Sequence, residues 1–192
     1  MRVFAVYAIA LLAFHSSEFL LACRFNPSDV GPHSLLLTWP YVAAQALSAA
    51  EFLGEAHLFP AAKATRLARA VSFLGLALVV TGEALRKAGV LTAGRHFTHL
   101  VQATRRPGHL LITGGVYGLV RHPGYLGFVL WALGTQLLLC NAVSVFVFYL
   151  ALRRFFKGRV AFEESRLERF FGDEWRAYKQ RTPACMGWLG VT

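Results

Sequence analysis

Two stretches of this chain hold side chains whose types and spacing could do chemistry. In residues 99–125, His99, His109 and His122 are interleaved with Tyr117, Tyr125, Arg105, Arg106 and Arg121. Gly114, Gly115, Gly118, Gly124 and, just beyond, Gly127 would let backbone approach a ligand closely. Pro123 fixes a turn after His122. Such a block can grip a cofactor through hydrogen bonds and ring faces, but it does not say which cofactor. Tyrosine is also ordinary at a membrane border, and His-Pro-Gly can be only a loop. The spacing does not suit zinc, since a second Cys/His pair at tetrahedral spacing is missing, and no metal is expected.

The second stretch is a helix opening at Arg159. Val160, Leu167, Phe170 and Phe171 define an apolar face, and Glu163 falls on it one turn from Arg159. Phe162, Arg166 and Arg169 are expected to point elsewhere. A carboxylate on a buried face is costly unless something pairs with it. Either Arg159 and Glu163 neutralise each other, or Glu163 holds a cationic or hydroxyl-rich ligand while Arg159 holds an anionic one. The pattern alone leaves both open.

The elements that must position these groups are apolar. Hydrophobic residues make up 56% and charged ones 16% of the 192 residues, against about 45–50% and about 25% in soluble domains. The chain therefore reads as a single bilayer-embedded domain. Its net charge of +10 sits beside apolar runs, as the positive-inside bias requires, so nucleic acid is not the expected partner. Cys23, Cys140 and Cys185 are odd in number and unpaired in spacing, which argues against a disulfide framework. Leu20-Leu21-Ala22-Cys23 resembles a lipoprotein cleavage box, but His15 and Glu18 interrupt the apolar stretch before it. The ending Leu189-Gly190-Val191-Thr192 is no prenylation box.

About five transmembrane helices are expected, three of them within residues 1–87. Residues 3–23 are long enough to span. His15 and Glu18 share a helix face there, either turned to the protein interior or hydrated near an interface. The Asn26–Pro32 stretch is a turn-rich break. A second apolar run covers residues 34–59, with Pro40 as a kink or late start and Pro60 as its end. Glu51 and Glu55 share a face and read as marking the water interface, with the lining of a polar cavity as the alternative. Residues 67–85 form the third span, with Gly75 and Gly82 permitting close helix contact and Arg86 and Lys87 at the interface. Residues 88–124 form a cytosolic connector, and residues 125–156 a helical hairpin turning at Cys140-Asn141. Residues 157–192 form cytosolic C-terminal helices, the first ended by Gly172 and a second over residues 173–180. Residues 86–121 carry six Lys/Arg and residues 153–181 nine, which places both blocks in the cytosol. Lys63, Arg66 and Arg69 run against that orientation.

The chain resembles the isoprenylcysteine carboxyl methyltransferases, and the eukaryotic branch in particular. The stretches that carry the resemblance run in order from His15-Ser16-Ser17-Glu18-Phe19 through Gly82-Glu83-Ala84-Leu85-Arg86-Lys87, Thr92-Ala93-Gly94 and Phe97-Thr98-His99-Leu100-Val101-Gln102. His109-Leu110-Leu111-Ile112-Thr113, Gly115-Val116-Tyr117 and Arg121-His122-Pro123-Gly124-Tyr125-Leu126-Gly127 follow. The last are Gly134-Thr135-Gln136, Leu139-Cys140-Asn141, Arg154-Phe155-Phe156 with Arg159, Glu163-Glu164, Phe170-Phe171-Gly172 and Tyr178. The Arg-His-Pro-x-Tyr-x-Gly box alone is shared with other membrane methyltransferases and some sterol-type reductases. Those, a phospholipid methyltransferase or a nicotinamide-dependent reductase, are the alternative reading, and a non-catalytic membrane scaffold is a third.

The resemblance implies an all-α integral membrane protein whose C-terminal half encloses S-adenosylmethionine. It implies cofactor contacts at Gln102, His109, Leu110, Leu111, Ile112, Tyr117, His122, Pro123, Gly124, Tyr125 and Glu163, with Arg159 meeting the substrate carboxylate. Arg159 and Glu163 would be the catalytic pair. The substrate would be the C-terminal prenylcysteine of a CaaX-processed protein of small-GTPase type, methylated in the endoplasmic reticulum membrane at a site facing the cytosol. Two departures from the family pattern stand out. Ala142 follows Asn141 where proline is usual, and Pro183-Ala184-Cys185-Met186-Gly187-Trp188 is not the usual ending.

Overall fold

The structure is a computed structural model that describes residues 2–102, 104–105 and 108–191; Arg106 and Thr192 lie outside them. It is all-helical. The helices are α1 (Arg2–Phe25), α2 (Trp39–Leu58), α3 (Pro60–Lys63), α4 (Arg66–Ala93), α5 (Pro123–Leu139), α6 (Ala142–Phe171) and α7 (Asp173–Arg181), with short 3-10 turns between. By length and apolar composition, α1 and the 66–96 segment are fit to cross a membrane, with mean hydropathies of 1.7 and 1.5. Their outer surfaces carry Ile9, Leu12, Phe73 and Leu74, and those of α2 and α6 carry Leu47 and Phe146, all exposed. An outward apolar face of this extent suits hydrocarbon, not water.

The tightest contact is α4 against α5, and glycine makes it possible. A Cβ added at Gly75 would lie 2.1 Å from the Leu138 nitrogen, and one at Gly82 would lie 2.4 Å from the Trp131 nitrogen. From the other side, a Cβ at Gly127 would lie 2.5 Å from the Arg86 nitrogen, and one at Gly134 would lie 2.7 Å from that of Val79. Backbone therefore meets backbone along both helices. In lipid, where no hydrophobic force drives helices together, such van der Waals contact is what holds them. The close approach anticipated at Gly75 and Gly82 is present.

Local signals set the helix ends. Pro40 lies in the first turn of α2, so it marks a late start and not a kink. The Thr65 hydroxyl accepts from the Ala68 N–H and caps α4. Gly94 (φ +53°) and Gly172 (φ +51°) end α4 and α6 in backbone that side chains disfavour. Cys140 takes the left-handed conformation (φ +54°) as a non-glycine cap between α5 and α6.

Three expectations need correction. First, α4 does not stop at an interface marked by Arg86 and Lys87. Nothing in residues 88–93 breaks a helix, and Arg86 is buried, with its guanidinium on the Glu18 carboxylate at 2.7 Å. Second, the hairpin's return arm does not end at residue 156. The helix α6 runs unbroken from Ala142 to Phe171, because the basic residues at 153–159 change its surroundings and not its backbone. Third, Glu51 does not simply mark the water interface. It accepts hydrogen bonds from the backbone N–H groups of Val143 and Ser144, both at 2.8 Å, and so caps α6 from a different helix. The C-terminal segment packs onto the helices that precede it. Ala184, Met186, Leu189 and Val191 are buried in the same cluster as Phe14, Trp131, Phe148 and Phe156.

The turn end of the hairpin is fully clamped. Lys63 donates to the carbonyls of Leu139 and Cys140 at 2.8 and 3.0 Å and pairs with Glu55. Asn141 donates to the Ser48 carbonyl at 2.8 Å, and the Ser48 hydroxyl donates to Gln136. These contacts hold the turn without the proline usual after Asn141. His15 and Glu18 both face the interior: His15 bonds the Leu35 carbonyl and the Tyr41 hydroxyl, each at 2.7 Å.

Candidate active site

At the opposite end of α5, the helix starts at Pro123 and presents His122, Gly124 and Tyr125 to a cavity. Irregular backbone at 97–98, 101–102 and 109–112 closes one side of it. The Tyr117 turn and the second half of α6 close the others, and Trp175 and Tyr178 of α7 lie at its base. All the cofactor contacts named from sequence line this one cavity: Gln102, His109, Leu110, Leu111, Ile112, Tyr117, His122, Pro123, Gly124, Tyr125 and Glu163.

Arg159 does not line it. Its Nε donates to the Tyr125 hydroxyl at 3.0 Å and its Nη2 to the His99 carbonyl at 2.7 Å. The same Tyr125 hydroxyl donates to Glu163 in a short hydrogen bond. Arg159 and Glu163 therefore meet through a tyrosine oxygen instead of neutralising one another directly. Tyr125 stands between the cavity and Arg159. Its ring stacks on His122 (5.5 Å, 11° between planes) and packs on Phe156 at 5.2 Å.

The neighbouring carboxylate, Glu164, turns the other way. It accepts from Arg121 Nε at 3.1 Å, His122 Nε2 at 3.0 Å and Lys179 Nζ at 2.6 Å. Glu164 lies beyond residue 156, outside the apolar span of α6. Burial works to raise its pKa, but the hydrogen bonds from His122 and Lys179 and the nearby His122 and Arg121 charges outweigh burial and hold it at about 2. Arg121 also donates to the Thr182 carbonyl at 2.7 Å, and its own N–H to that of Pro183 at 3.0 Å. The cage thus locks the end of α7 against the start of α5. The Tyr178 hydroxyl adds a bond to the Tyr117 carbonyl at 2.7 Å. Burial, reinforced by the Glu163 charge, raises the Tyr117 phenol well above its ordinary value.

Sequence reasoning missed several lining residues. Arg166 lines the cavity, although it was expected to point away. Its spacing of seven from Arg159 and three from Glu163 puts it on their helix face, so strict helical geometry would have found it. Trp175 and Tyr178 are three apart in α7 and share a buried face in the same way. Phe97 and Thr98 lie in irregular backbone, where periodicity gives no signal.

The architecture is a small apolar helical bundle fit for a membrane, with a cavity lined by polar and aromatic groups at the start of α5. Residues 74–169 match the model of the isoprenylcysteine carboxyl methyltransferase (ICMT) family. The chain is 46% identical over 177 residues to a probable protein-S-isoprenylcysteine O-methyltransferase of Oryza sativa subsp. indica, covering 92% of this chain and 91% of that one. It is 40% identical to protein-S-isoprenylcysteine O-methyltransferase of Homo sapiens, covering 94% of this chain and 63% of that longer one. It also superposes on the solved structure of a eukaryotic intramembrane Ras methyltransferase, ICMT. That TM-score is 0.89 at 38% identity, over 95% of this chain and 66% of the other. The chain belongs to the isoprenylcysteine carboxyl methyltransferase family.

Proposed function

We propose that this chain transfers the methyl group of S-adenosylmethionine to the C-terminal carboxylate of a prenylcysteine, with the cofactor in the α5–α6 cavity and the carboxylate met by Arg159. Carboxyl methylation of an isoprenylcysteine is the activity of its family. The observation that carries the residue assignment is Tyr125, which lines the cavity and whose hydroxyl donates to Glu163 and accepts from Arg159. It puts a carboxylate on the cavity side and a guanidinium on the other side of one atom.

The lining fits the cofactor. Glu163 offers a negative charge to a sulfonium or ammonium group. Phe97, Tyr117 and His122 offer ring faces, and the irregular backbone at His109–Ile112 offers N–H and C=O groups to a purine edge. When bound, S-adenosylmethionine supplies an electrophilic methyl on a positively charged sulfur. The protein's task is then positioning. A C-terminal carboxylate, with an ordinary pKa of about 3.3–3.7, is already ionised at neutral pH, so no general base is required. Arg159 holds it by a bidentate fork and fixes its angle of attack. The apolar cluster of Phe128, Trp131 and Phe156 behind Tyr125 keeps water away from the carboxylate.

Five helices, α1, α2, α4, α5 and α6, are read as crossing the bilayer, with the apolar part of α6 ending near residue 156. The excess of basic residues in 86–121 and 153–181 supports a cavity on the cytosolic side, although Arg86, Lys87 and Arg121 are engaged by Glu18 and Glu164. Lys63, which runs against that orientation, is used on the far side to clamp the hairpin turn. The acceptors are CaaX-processed prenylated proteins, met in the endoplasmic reticulum membrane. Arg159→Ala is expected to raise the KM for a prenylcysteine acceptor or abolish turnover while S-adenosylmethionine binding stays within a few-fold. Loss of cofactor binding in that variant contradicts the division of roles.

A further inference from the structure

Glu18 lies in α1, remote in sequence from the cavity, and its side chain is fully buried. It accepts from Arg86 Nε and Nη2 at 3.1 and 2.7 Å, from Lys87 Nζ at 2.6 Å, and meets His99 Nε2 at 2.8 Å. A carboxylate shared by two cations and a histidine is more than is needed to join α1 to α4, since either cation alone would pair it. Two arms continue past it to the reacting groups. His99, held by its ring, supplies the carbonyl that accepts from Arg159 Nη2 at 2.7 Å. Arg86, held by its fork, donates Nη1 to the Gly124 carbonyl at 3.1 Å and lies 5.0 Å over the Phe97 ring. Gly124 and Phe97 both line the cavity.

We propose that Glu18 is a positioning residue for methyl transfer: through His99 it sets the carbonyl that orients Arg159, and through Arg86 it sets the cavity wall at Gly124 and Phe97. One carboxylate thereby fixes the acceptor side and the cofactor side relative to each other. In-line displacement depends on that relation, because a misplacement of about 1 Å can cost about a hundredfold in rate. The inference rests on the reading of Arg159 as the group that meets the acceptor carboxylate.

The test uses the full chain in membranes and three readouts: acceptor KM with N-acetyl-S-farnesylcysteine, kcat, and S-adenosylmethionine binding. His99→Ala cuts the acceptor arm and leaves the Arg86 arm. It is expected to raise acceptor KM and lower kcat, a loss of about tenfold or more in kcat/KM, with cofactor affinity within about twofold. His99→Gln, whose amide can still donate to Glu18, restores most of that loss. Glu18→Gln, which loosens both arms, raises acceptor KM and weakens cofactor binding together. A merely structural anchor would lower the amount of active enzyme and leave both constants unchanged in the active fraction. That result in His99→Ala and Glu18→Gln, alongside a raised KM in Arg159→Lys, overturns the proposal and spares the Arg159 reading. A normal KM in Arg159→Lys overturns the Arg159 reading, and with it the acceptor arm.

Discussion

Glu163 and Glu164 stand side by side on α6 and meet opposite surroundings. Glu164 is ringed by Arg121, His122 and Lys179, while Glu163 faces the cavity with the neutral Tyr125 hydroxyl as its partner. A carboxylate surrounded by cations has its charge satisfied and serves the fold. A carboxylate whose partner is a phenol keeps its charge available to a cationic ligand. The Glu18 cage has the same composition, another arginine, lysine and histidine, but its arms run on to Arg159 and to the cavity wall, which is why a positioning role is proposed for it. The difference between adjacent residues thus separates what holds the site from what uses it.

Substitutions can break that contrast. The largest effect is expected where both sides depend on one packing surface: Gly82→Leu cannot be housed against the Trp131 backbone, and no folded, active enzyme should be recovered from membranes. Next, Glu164→Gln leaves Arg121 buried without its carboxylate, at a cost of about 3 kcal/mol. The temperature of thermal inactivation in detergent should fall by many degrees, while cofactor affinity, through the loosened His122 and Arg121, falls less than it does in Glu163→Gln. Glu163→Gln should do the reverse, weakening cofactor binding by about tenfold or more with inactivation temperature nearly unchanged. If Glu164→Gln loses cofactor binding and Glu163→Gln loses stability, the contrast is inverted.

Acid sharpens the same comparison. The Glu164 pKa is depressed from the ordinary carboxylate range to about 2, so the unfolded chain takes up its proton first as pH falls. Its stabilising contribution is complete above about pH 4.5 and is lost between there and about pH 2. The inactivation temperature of wild type should therefore fall over that range more steeply than that of Glu164→Gln. The smallest effect belongs to the surface. Arg176, with Asp173 and Glu168 as exposed partners, should tolerate replacement by alanine without measurable change in activity or stability.

Much of this was legible in the sequence because it was local. Gly75 and Gly82 sit at helical spacing, Pro60 and Gly172 end helices, and the cavity-lining positions fall in contiguous blocks on either side of α5. What was not legible depended on partners far along the chain. Arg86 and Lys87 look like interface residues until Glu18 is placed opposite them. Glu51 looks like a surface carboxylate until the free N–H groups of α6 arrive beside it. Helix face and motif favoured Glu163 over Glu164 without settling the choice, and the ring of Arg121, His122 and Lys179 that turns Glu164 away from the cavity comes from distant elements. The end of the α5–α6 hairpin was misread for a different reason. Basic residues mark where a helix leaves lipid, and they do not mark where the helix ends.

The most direct measurement is methyl transfer in membranes from labelled S-adenosylmethionine to N-acetyl-S-farnesylcysteine, for wild type and Glu163→Ala. The account predicts a base-labile methyl ester with wild type and none with Glu163→Ala, together with loss of cofactor binding in the variant. Ester formation at the wild-type rate by Glu163→Ala would contradict it.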